Sequence, residues 1–328
     1  MSSFSHKIFD SILLIIFLFF MSYVPQYNNA HPLEICKFNQ IYQLGDSISD
    51  TGNLIREIPI GASSAFSRPP YGETFFKNAT GRCSNGLLMI DYMAMAADLP
   101  FVPPYKNIDA DFRYGVNFAV AGSTTLPYEV LASKNIFSPV TTSSLNVQLE
   151  WMSSYFNSIC LNDRNCGVKL QNALFMVGEI GGNDYNYAIF QGKTMDELKN
   201  VWWCLENFQY RLPIYQTTFR TNISESYDDN QCLKEFNEFA MYHNEQLQQA
   251  IVSLKQEKPN AIIIYGDYSN AYQFLHEYGN TTVPVCSNPN SFMSWDGVHL
   301  TQEGYKIMVG WLVHNNIFRE LELWCTMV

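Results

Sequence analysis

A serine stands inside a short polar stretch directly after an apolar run, in the segment "IYQLGDSISDTGN" that spans residues 41–53. An apolar run that stops at Gly-Asp-Ser is typical of a strand ending in a loop that opens a helix, where backbone N–H groups favour anions. Ser47 is therefore well placed to attack a carbonyl group. Asp and Ser are also preferred turn and cap residues, so the motif taken alone favours an ordinary turn.

A base and a carboxylate stand near the C-terminus. Acyl transfer by serine needs a base for the hydroxyl proton, a carboxylate that orients this base, and donors aimed at the developing oxyanion. His299 follows Asp296 by three residues in "SWDGVHLTQEGY", so one short segment can supply both groups. Gly122, in "GVNFAVAGST", can offer a backbone N–H, and Asn183, in "GEIGGNDYN", a side-chain amide. Each of these residues has an equally plausible role in a tight turn.

Helical patterns alternate with apolar runs and indicate how these residues are positioned. Apolar residues recur at spacings of three and four across 145–159 and 233–254, which predicts two helices, the second stopped before Pro259. The runs "ALFMVGEIGGND" and "NAIIIYGDY" predict buried strands. This alternation predicts a parallel sheet with helices on both faces and active groups at the carboxyl ends of its strands. His243 lies on the apolar phase of the second helix, so we expect it to pack rather than react.

The composition restricts the class of protein. The chain has 328 residues, of which 47% are hydrophobic and 16% charged, and this is compatible with one large α/β domain. The formal net charge of -11 argues against nucleic acid or an anionic membrane as the main partner, because both require clustered Lys and Arg. A neutral or cationic small ligand fits better. Neither a paired CxxC nor a Cys/His zinc spacing occurs, so we expect no metal.

The N-terminal segment predicts secretion. Lys7 precedes a ten-residue apolar run over 12–21, and a polar stretch of small residues ends near Ala30. This layout is typical of a signal peptide, which we assign to residues 1–30. The apolar run is too short to span a bilayer, which takes about 20 residues, so we expect no transmembrane anchor.

Sequons and cysteines agree with an oxidising, secretory compartment. Three sequons become available for glycosylation there: Asn78, Asn222 and Asn280. All eight cysteines lie beyond residue 30, and eight is an even number. Cys160 and Cys166 are close enough in "CLNDRNC" to form a local disulfide, whereas the other pairings cannot be deduced from the sequence.

The four polar clusters occur in the order and form of a known family. From about residue 38 to its C-terminus, the chain resembles the secreted plant branch of the GDSL, or SGNH, serine esterases and lipases. Besides the four clusters, the segments that carry this resemblance are "RPPYGETFF", "TGRCSNG", "LPFVPPY", "CLKEFNEFAMYHNEQLQ" and "WDGVHLT". No GxSxG pentapeptide occurs, so the α/β-hydrolase fold has no support.

The resemblance implies a fold, a site and an activity. The fold would be a flavodoxin-like three-layer α/β/α sandwich with a parallel sheet, the SGNH hydrolase fold, in one domain over residues 31–328. Ser47 would be the nucleophile, His299 the general base, and Asp296 the carboxylate that orients it. The backbone N–H groups of Ser47 and Gly122 and the side-chain amide of Asn183 would form the oxyanion hole. The implied activity is cofactor-independent hydrolysis of small-molecule or lipid carboxylic esters through an acyl-enzyme.

Two segments are shorter than the family pattern. After "GEIGGNDYNYAIF", the stretch "VWWCLENFQYRLPIYQTTF" replaces most of a region that holds a helix and a buried strand in the family. Between "IYGDY" and the final cluster only "FLHEYGNTTVPVCSNPN" remains. The first deletion would remove a central strand and weaken fold and activity, unless residues 201–216 supply a substitute or the neighbouring strands close up. The alternative function is a secreted glycoprotein that keeps the pocket and binds small ligands without turning them over.

Overall fold

A short parallel sheet lies at the centre of the molecule. The structure is a computed structural model that describes residues 33–194, 197, 227, 233–278, 288–317, 321 and 325. Within them the strands are β1 (Gln40–Leu44), β2 (Gly115–Asn117) and β3 (Ala173–Val177), in the spatial order β2-β1-β3. β1 pairs in parallel with both neighbours, with Ile41 opposite Gly115 on one side and Leu174 on the other. The loops that follow the three strands therefore lie together at the carboxyl end of the sheet.

Helices follow and separate the strands. The described α-helices are α1 (Met89–Ala96), α2 (Tyr128–Ser133), α3 (Leu145–Ile159), α4 (Asp163–Leu170), α5 (Gly182–Phe190), α6 (Lys234–Glu257), α7 (Tyr268–Tyr278) and α8 (Gln302–Trp311). A π-helical turn, Leu312–Ile317, continues α8. Short 3-10 turns lie at Glu34–Cys36, Leu54–Arg56, Gly61–Ser63, Ala65–Ser67 and Pro289–Ser291. The helices predicted from apolar spacing are confirmed as α3 and α6. No described helix has the length and apolar character needed to cross a membrane.

The two faces of the sheet pack against different helices. Strand side chains alternate between faces, and Ile41 belongs to a buried cluster formed with α1 and α8, whereas Tyr42 belongs to a cluster covered by α3. On β3, Leu174 and Met176 pack against the first cluster, and Phe175 stacks on Tyr42 with ring centroids 5.2 Å apart. Helices thus lie on both faces of a parallel sheet, which confirms the predicted three-layer α/β/α arrangement.

The described part of the sheet is narrower than the family pattern implies. Within the described residues no strand pairs with the outer edge of β3, and Phe175 and Val177 are 41% and 62% exposed. Residues 262–267 form no strand, and Ile262 is 55% exposed. The segment "ALFMV" is therefore a strand, as predicted, but the prediction that it is buried is wrong. The strand predicted at "NAIIIYGDY" does not form. Burial of an apolar strand requires a paired neighbour and covering helices, and residues 201–216, the suggested substitute, lie outside the described part.

Two disulfides close loops of very different length. Cys160–Cys166, predicted from its spacing, is confirmed. Cys36–Cys325 joins the 3-10 turn before β1 to a residue beyond α8, across a separation of 289 residues. Among the described cysteines, Cys83 is a buried free thiol. The long disulfide connects the two ends of the fold covalently.

Only part of the secretion and glycosylation predictions falls on described residues. Asn78 lies at an exposed bend, where a glycan would not collide with the core. Asn222, Asn280 and the signal peptide assigned to residues 1–30 lie outside the described residues. Secretion and glycosylation therefore stay predictions.

Candidate active site

Ser47 lies in a tight turn directly after β1. The carbonyl of Asp46 accepts a hydrogen bond from the N–H of Asp50 at 2.9 Å, which closes a single helical turn. The Asp46 carboxylate accepts the N–H of Ile48 at 3.1 Å. The sequence predicted that a helix begins after this loop. This prediction is wrong, because the next element is the short 3-10 turn Leu54–Arg56. Polar side chains bind the backbone N–H groups that would otherwise start a helix, and the chain stays a turn.

Asp50 ties the Ser47 turn to the loop after β2. One carboxylate oxygen accepts two N–H groups of its own turn at 2.6 and 2.7 Å. The other accepts the N–H of Leu54 at 3.0 Å and the N–H of Ala121 at 2.8 Å. Burial raises the pKa of Asp50, while these backbone donors act in the opposite direction. Because Ala121 precedes Gly122, this carboxylate links the turn that carries Ser47 to the loop that carries a candidate oxyanion donor.

Gln148 on α3 makes a second connection between these loops. Its side chain is fully buried. Its Oε1 accepts the N–H of Gly45 at 2.9 Å, and its Nε2 donates to the carbonyl of Gly45 at 2.8 Å and to Ser123 Oγ at 3.1 Å. Sequence reasoning missed both Asp50 and Gln148. The only signal for Gln148 was a polar residue placed on the apolar face of a predicted helix.

His299 and Asp296 lie in direct contact. His299 Nδ1 is 2.7 Å from Asp296 Oδ2. Asp296 Oδ1 accepts the backbone N–H of Val298 at 2.9 Å and that of His299 at 2.7 Å. An ionised carboxylate only accepts, so Nδ1 carries the proton of this contact and Nε2 is the nitrogen able to take another. Nε2 is buried and has no hydrogen-bond partner among the described residues.

The charges around this pair shift the pKa of both side chains. Burial acts to raise the pKa of Asp296, but the facing His299 and the hydrogen bonds it receives hold that pKa well below its usual range. Burial acts to lower the pKa of His299, and the charges of Asp296 and Asp46 outweigh this effect and raise it. Burial also raises the pKa of Asp46 to about 8. The pair therefore combines an ionised carboxylate with a basic imidazole, which suits a general base.

Ser47, Asn183 and His299 line one cavity of about 100 Å³. They come from three places: the turn after β1, the first turn of α5, and the segment before α8. Much of the remaining wall is apolar or aromatic and includes Tyr272 and Met308. The structure thus brings a hydroxyl, an imidazole and a side-chain amide to one concave site, which is the set of groups that acyl transfer requires.

Asn183 is held at the N-terminal turn of α5. Its Nδ2 donates to the carbonyl of Ser123 at 2.9 Å and approaches Asp46 Oδ2 at 3.3 Å. The first contact fixes the amide against the loop after β2. The second is long for a hydrogen bond to a carboxylate, so the N–H that faces Asp46 is the more weakly bound of the two.

Gly122 occupies a position that requires glycine. Its φ is 83°, and a Cβ there would lie 2.5 Å from the Val140 side chain. Its carbonyl accepts the hydroxyl of Tyr187 at 2.8 Å, whereas its N–H donates to none of the described residues. Gly122 does not itself line the cavity, but the next residue, Ser123, is bound to Asn183. The role of Gly122 as an oxyanion donor therefore stays a prediction.

Other side chains able to do chemistry lie elsewhere. His243 is half-buried on α6, outside the cavity lining, and burial lowers its pKa to about 4. Within the described residues no group of three or more His, Cys, Asp or Glu side chains is arranged to hold a metal ion. The cavity with Ser47 is therefore the best-supported place for a reaction.

Comparisons with known proteins match this chain to esterases and lipases. Residues 41–312 match the family described as GDSL-like Lipase/Acylhydrolase. Acetylajmalan esterase 1 from Rauvolfia serpentina is 37% identical, with 88% of this chain and 89% of the relative covered. A GDSL esterase/lipase from Arabidopsis thaliana is 36% identical, with 95% of this chain and 97% of the relative covered.

The same comparisons contain evidence for missing segments. The alignment with the Arabidopsis protein has 364 positions, whereas 95% of this 328-residue chain is only about 312 residues. Roughly 50 positions of that alignment therefore have no counterpart here. This difference agrees with the two shortened segments of the sequence and with a sheet that, within the described residues, ends at β3.

The extent of the match decides the family. The matched region begins at Ile41 in β1 and ends at Leu312, directly after α8, so it contains all of the described sheet except Gln40 and every loop that lines the cavity. The relatives match over most of both chains. This chain therefore belongs to the GDSL-like lipase/acylhydrolase family, and it is a hydrolase that acts on ester bonds.

Proposed function

We propose that this chain is a secreted serine hydrolase that cleaves small-molecule or lipid carboxylic esters through an acyl-enzyme. One observation carries the proposal. His299 is fixed by Asp296 through a 2.7 Å contact, its Nε2 has no hydrogen-bond partner among the described residues, and His299 lines the same cavity as Ser47. A base with the correct nitrogen available, in the same cavity as a serine, is what nucleophilic catalysis needs.

Hydrolysis proceeds in two halves. In the first, His299 Nε2 takes the proton of Ser47 as Oγ attacks the ester carbonyl, and the imidazolium then protonates the departing alcohol. The acyl group stays on Ser47. In the second half, His299 takes a proton from water, the water oxygen attacks the acyl carbon, and Ser47 leaves with the proton returned. Asp296 keeps the imidazole in one tautomer throughout, and these steps need no cofactor.

Three donors stabilise the charge that develops on the carbonyl oxygen. They are the backbone N–H groups of Ser47 and Gly122 and the side-chain amide of Asn183. Two observations support this set. Neither backbone N–H donates to another described residue, and the Asn183 amide holds Asp46 only at 3.3 Å. Donors that face the developing oxyanion contribute strongly to catalysis.

The substrate would be an ester with a short acyl group. The cavity of about 100 Å³ has a largely apolar wall, which accommodates a few carbon atoms rather than a long chain. One relative is named an acetylajmalan esterase, and an acetylated small molecule fits the same size. We expect p-nitrophenyl acetate to be turned over faster than p-nitrophenyl palmitate. The reverse preference would show that the acyl chain lies outside this cavity.

Secretion and domain organisation belong to the same proposal. Residues 1–30 would be removed as a signal peptide, leaving one hydrolase domain over residues 31–328. Disulfides persist mainly in oxidising compartments, and Cys36–Cys325 and Cys160–Cys166 both form. The exposed Asn78 would carry a glycan. Mass spectrometry of the protein secreted by a plant host would measure both the new N-terminus and the glycan.

A second candidate function is a secreted protein that binds small ligands but turns them over poorly. The exposed Phe175 and Val177 at the sheet edge favour it, because a narrowed sheet holds the loops less firmly. Inserting a family-type helix and strand after residue 200 would test this idea. If the inserted version melts at a higher temperature and turns over esters faster, the deletion limits activity. Equal melting and turnover would instead show that the deletion is tolerated.

The decisive experiment compares the secreted protein with its Ser47→Ala form. Turnover of p-nitrophenyl acetate should fall by about 10⁴ or more, because the base then has no hydroxyl to activate. A fluorophosphonate probe should label the parent protein once and the variant not at all. Labelling that survives Ser47→Ala would place the nucleophile at another residue and reject the proposed mechanism.

A further inference from the structure

Tyr71 binds the carboxylate that orients the proposed base. Its hydroxyl donates a hydrogen bond to Asp296 Oδ2 at 2.9 Å. The same oxygen lies 2.7 Å from His299 Nδ1. Tyr71 and Asp296 are 225 residues apart in sequence, so nothing local brings them together. One carboxylate oxygen is therefore shared between a tyrosine from the first part of the chain and the imidazole from its last part.

The Tyr71 hydroxyl completes the hydrogen bonding of this carboxylate. Oδ1 accepts two backbone N–H groups, from Val298 and His299. Oδ2 accepts the imidazole and the tyrosine. Two oxygens of an ionised carboxylate accept about four hydrogen bonds, so all its positions are filled. Three of the donors come from the segment that contains Asp296, and Tyr71 is the one that holds the carboxylate from outside.

The ring of Tyr71 is fixed by aromatic neighbours of the same site. Phe66 meets it edge to face with centroids 5.1 Å apart, and Trp295 does so at 5.9 Å. Phe66 also meets the imidazole of His299 edge to face at 5.8 Å. Such contacts define the position of a ring beyond simple burial. The hydroxyl therefore reaches Asp296 from a ring that has little freedom to move away.

The backbone around Tyr71 is tied to the segment that follows His299. The N–H of Gly72 donates to the carbonyl of Ser84 at 3.0 Å, and the N–H of Thr74 donates to the carbonyl of Asn85 at 2.7 Å. Asn85 Oδ1 in turn accepts the N–H of Gln302, the first residue of α8, at 2.8 Å. Both ends of the Tyr71–Asp296 contact are thus anchored to the same short stretch.

Tyr71 remains a donor across the working pH range. Burial and the adjacent charge of Asp296 both raise the pKa of its hydroxyl. The other titratable groups that face this trio are Asp46, Cys83 and Tyr305. Burial raises the pKa of the thiol and of the second phenol well above their usual values, so both stay neutral. Asp46 is left as the other carboxyl that acts on His299.

We propose, building on the hydrolase mechanism above, that Tyr71 is a positioning residue whose hydroxyl fixes the Asp296 carboxylate and draws off part of its negative charge. A hydrogen bond to the carboxylate weakens its attraction for the proton on His299. Without this bond, the imidazolium is stabilised more strongly and His299 gives up its proton only at higher pH. Tyr71 thereby sets the pH above which the base is active.

The test is the pH dependence of catalysis in Tyr71→Phe, which keeps the ring and removes only the hydroxyl. The acidic limb of kcat/KM for p-nitrophenyl acetate should move upward by roughly 0.5 to 1 unit. The pH dependence of fluorophosphonate labelling should move by the same amount. Tyr71→Leu, which also removes the ring, separates the hydroxyl from packing. Tyr114→Phe is the matched control, because Tyr114 is 40% exposed and precedes β2 at the opposite end of the sheet.

The outcomes separate this inference from the hydrolase mechanism itself. An upward shift in Tyr71→Phe, with none in Tyr114→Phe, supports the positioning role. An unchanged acidic limb overturns it, even if turnover falls, and so does a change that appears only in Tyr71→Leu. Turnover that survives Ser47→Ala would instead reject the mechanism, and that result is independent of where the acidic limb lies in the tyrosine variants.

Discussion

The loops at the carboxyl end of the sheet and the outer edge of the sheet at β3 are held in different ways. In the loops, buried polar side chains bind backbone groups directly. Asp50 accepts four N–H groups, and Gln148 pairs with both polar groups of Gly45. At the edge, Val177 is 62% exposed and no described strand continues the ladder.

This difference indicates that the site depends on the contacts between loops and not on the outer edge of β3. The contacts that fix Ser47, Asn183 and His299 join loops to one another and to α3, and none of them passes through the outer side of β3. A chain that lacks a strand beyond β3 can therefore keep its reactive groups in place. This favours an active hydrolase over a protein that only binds.

Within this comparison, the largest effect is expected for Asn183→Ala in the loops. The variant removes a donor whose hydrogen bond strengthens as charge develops on the carbonyl oxygen, so kcat should fall by roughly 10²–10³ with little change in KM. Steady-state kinetics with p-nitrophenyl acetate measure this, and Asn157→Ala on the exposed side of α3 is the control. An effect confined to KM would assign Asn183 to substrate recognition or to the turn.

A smaller effect compares the two regions directly. Gln148→Leu leaves the N–H of Gly45 without a partner, whereas the Gly45 carbonyl still accepts the N–H of Val120 at 3.2 Å. A buried orphan costs about 1–3 kcal/mol, so the free energy of unfolding should fall by that amount. Val177→Ala at the exposed edge should cost only about 0.5 kcal/mol. Urea unfolding of both variants gives the two values. If both variants lost the same free energy of unfolding, the outer edge of β3 would be as well packed as the loops, and the two regions would not differ.

The smallest effect concerns pH. Burial raises the pKa of Asp46 to about 8 and those of Glu179 and Asp184 to about 7. Unfolded carboxyls titrate near 4, so between about pH 4 and pH 8 the folded protein binds more protons and its stability falls as pH rises. The raised pKa of His299 acts in the same direction above about pH 6.5. The depressed pKa of Asp296 contributes stability that is lost only below about pH 4.

Thermal melting at pH 5.5 and pH 8 measures this dependence. The melting temperature should be higher at pH 5.5 by a few degrees. Asp46→Asn should reduce the difference, because it removes the carboxyl with the highest of the three raised pKa values. A melting temperature that rises from pH 5.5 to pH 8 would contradict the assignment of these buried carboxyls to the folded state.

Local patterns in the sequence predicted more than long-range ones. Asp296 and His299 could be paired from sequence because three residues separate them. The contacts of Asp50 with Ala121 and of Gln148 with Gly45 could not, since their partners lie 71 and 103 residues away. Apolar runs predicted β1 and β3, but the run at 260–268 forms no strand. They could not predict burial at the edge, because burial depends on a neighbouring strand that the run itself does not encode.

The Cys36–Cys325 bond turns almost the whole described chain into a covalent ring. Ser47 lies shortly after one end of this ring and His299 shortly before the other, so most of the sequence separates nucleophile from base. A protease that cuts an open chain between them yields two pieces free to diffuse apart. In the ring, a single cut at an exposed loop leaves both pieces attached, so a nicked molecule can keep its reactive groups together. The same closure means that new chain ends can be opened at such a loop without separating the two parts of the fold.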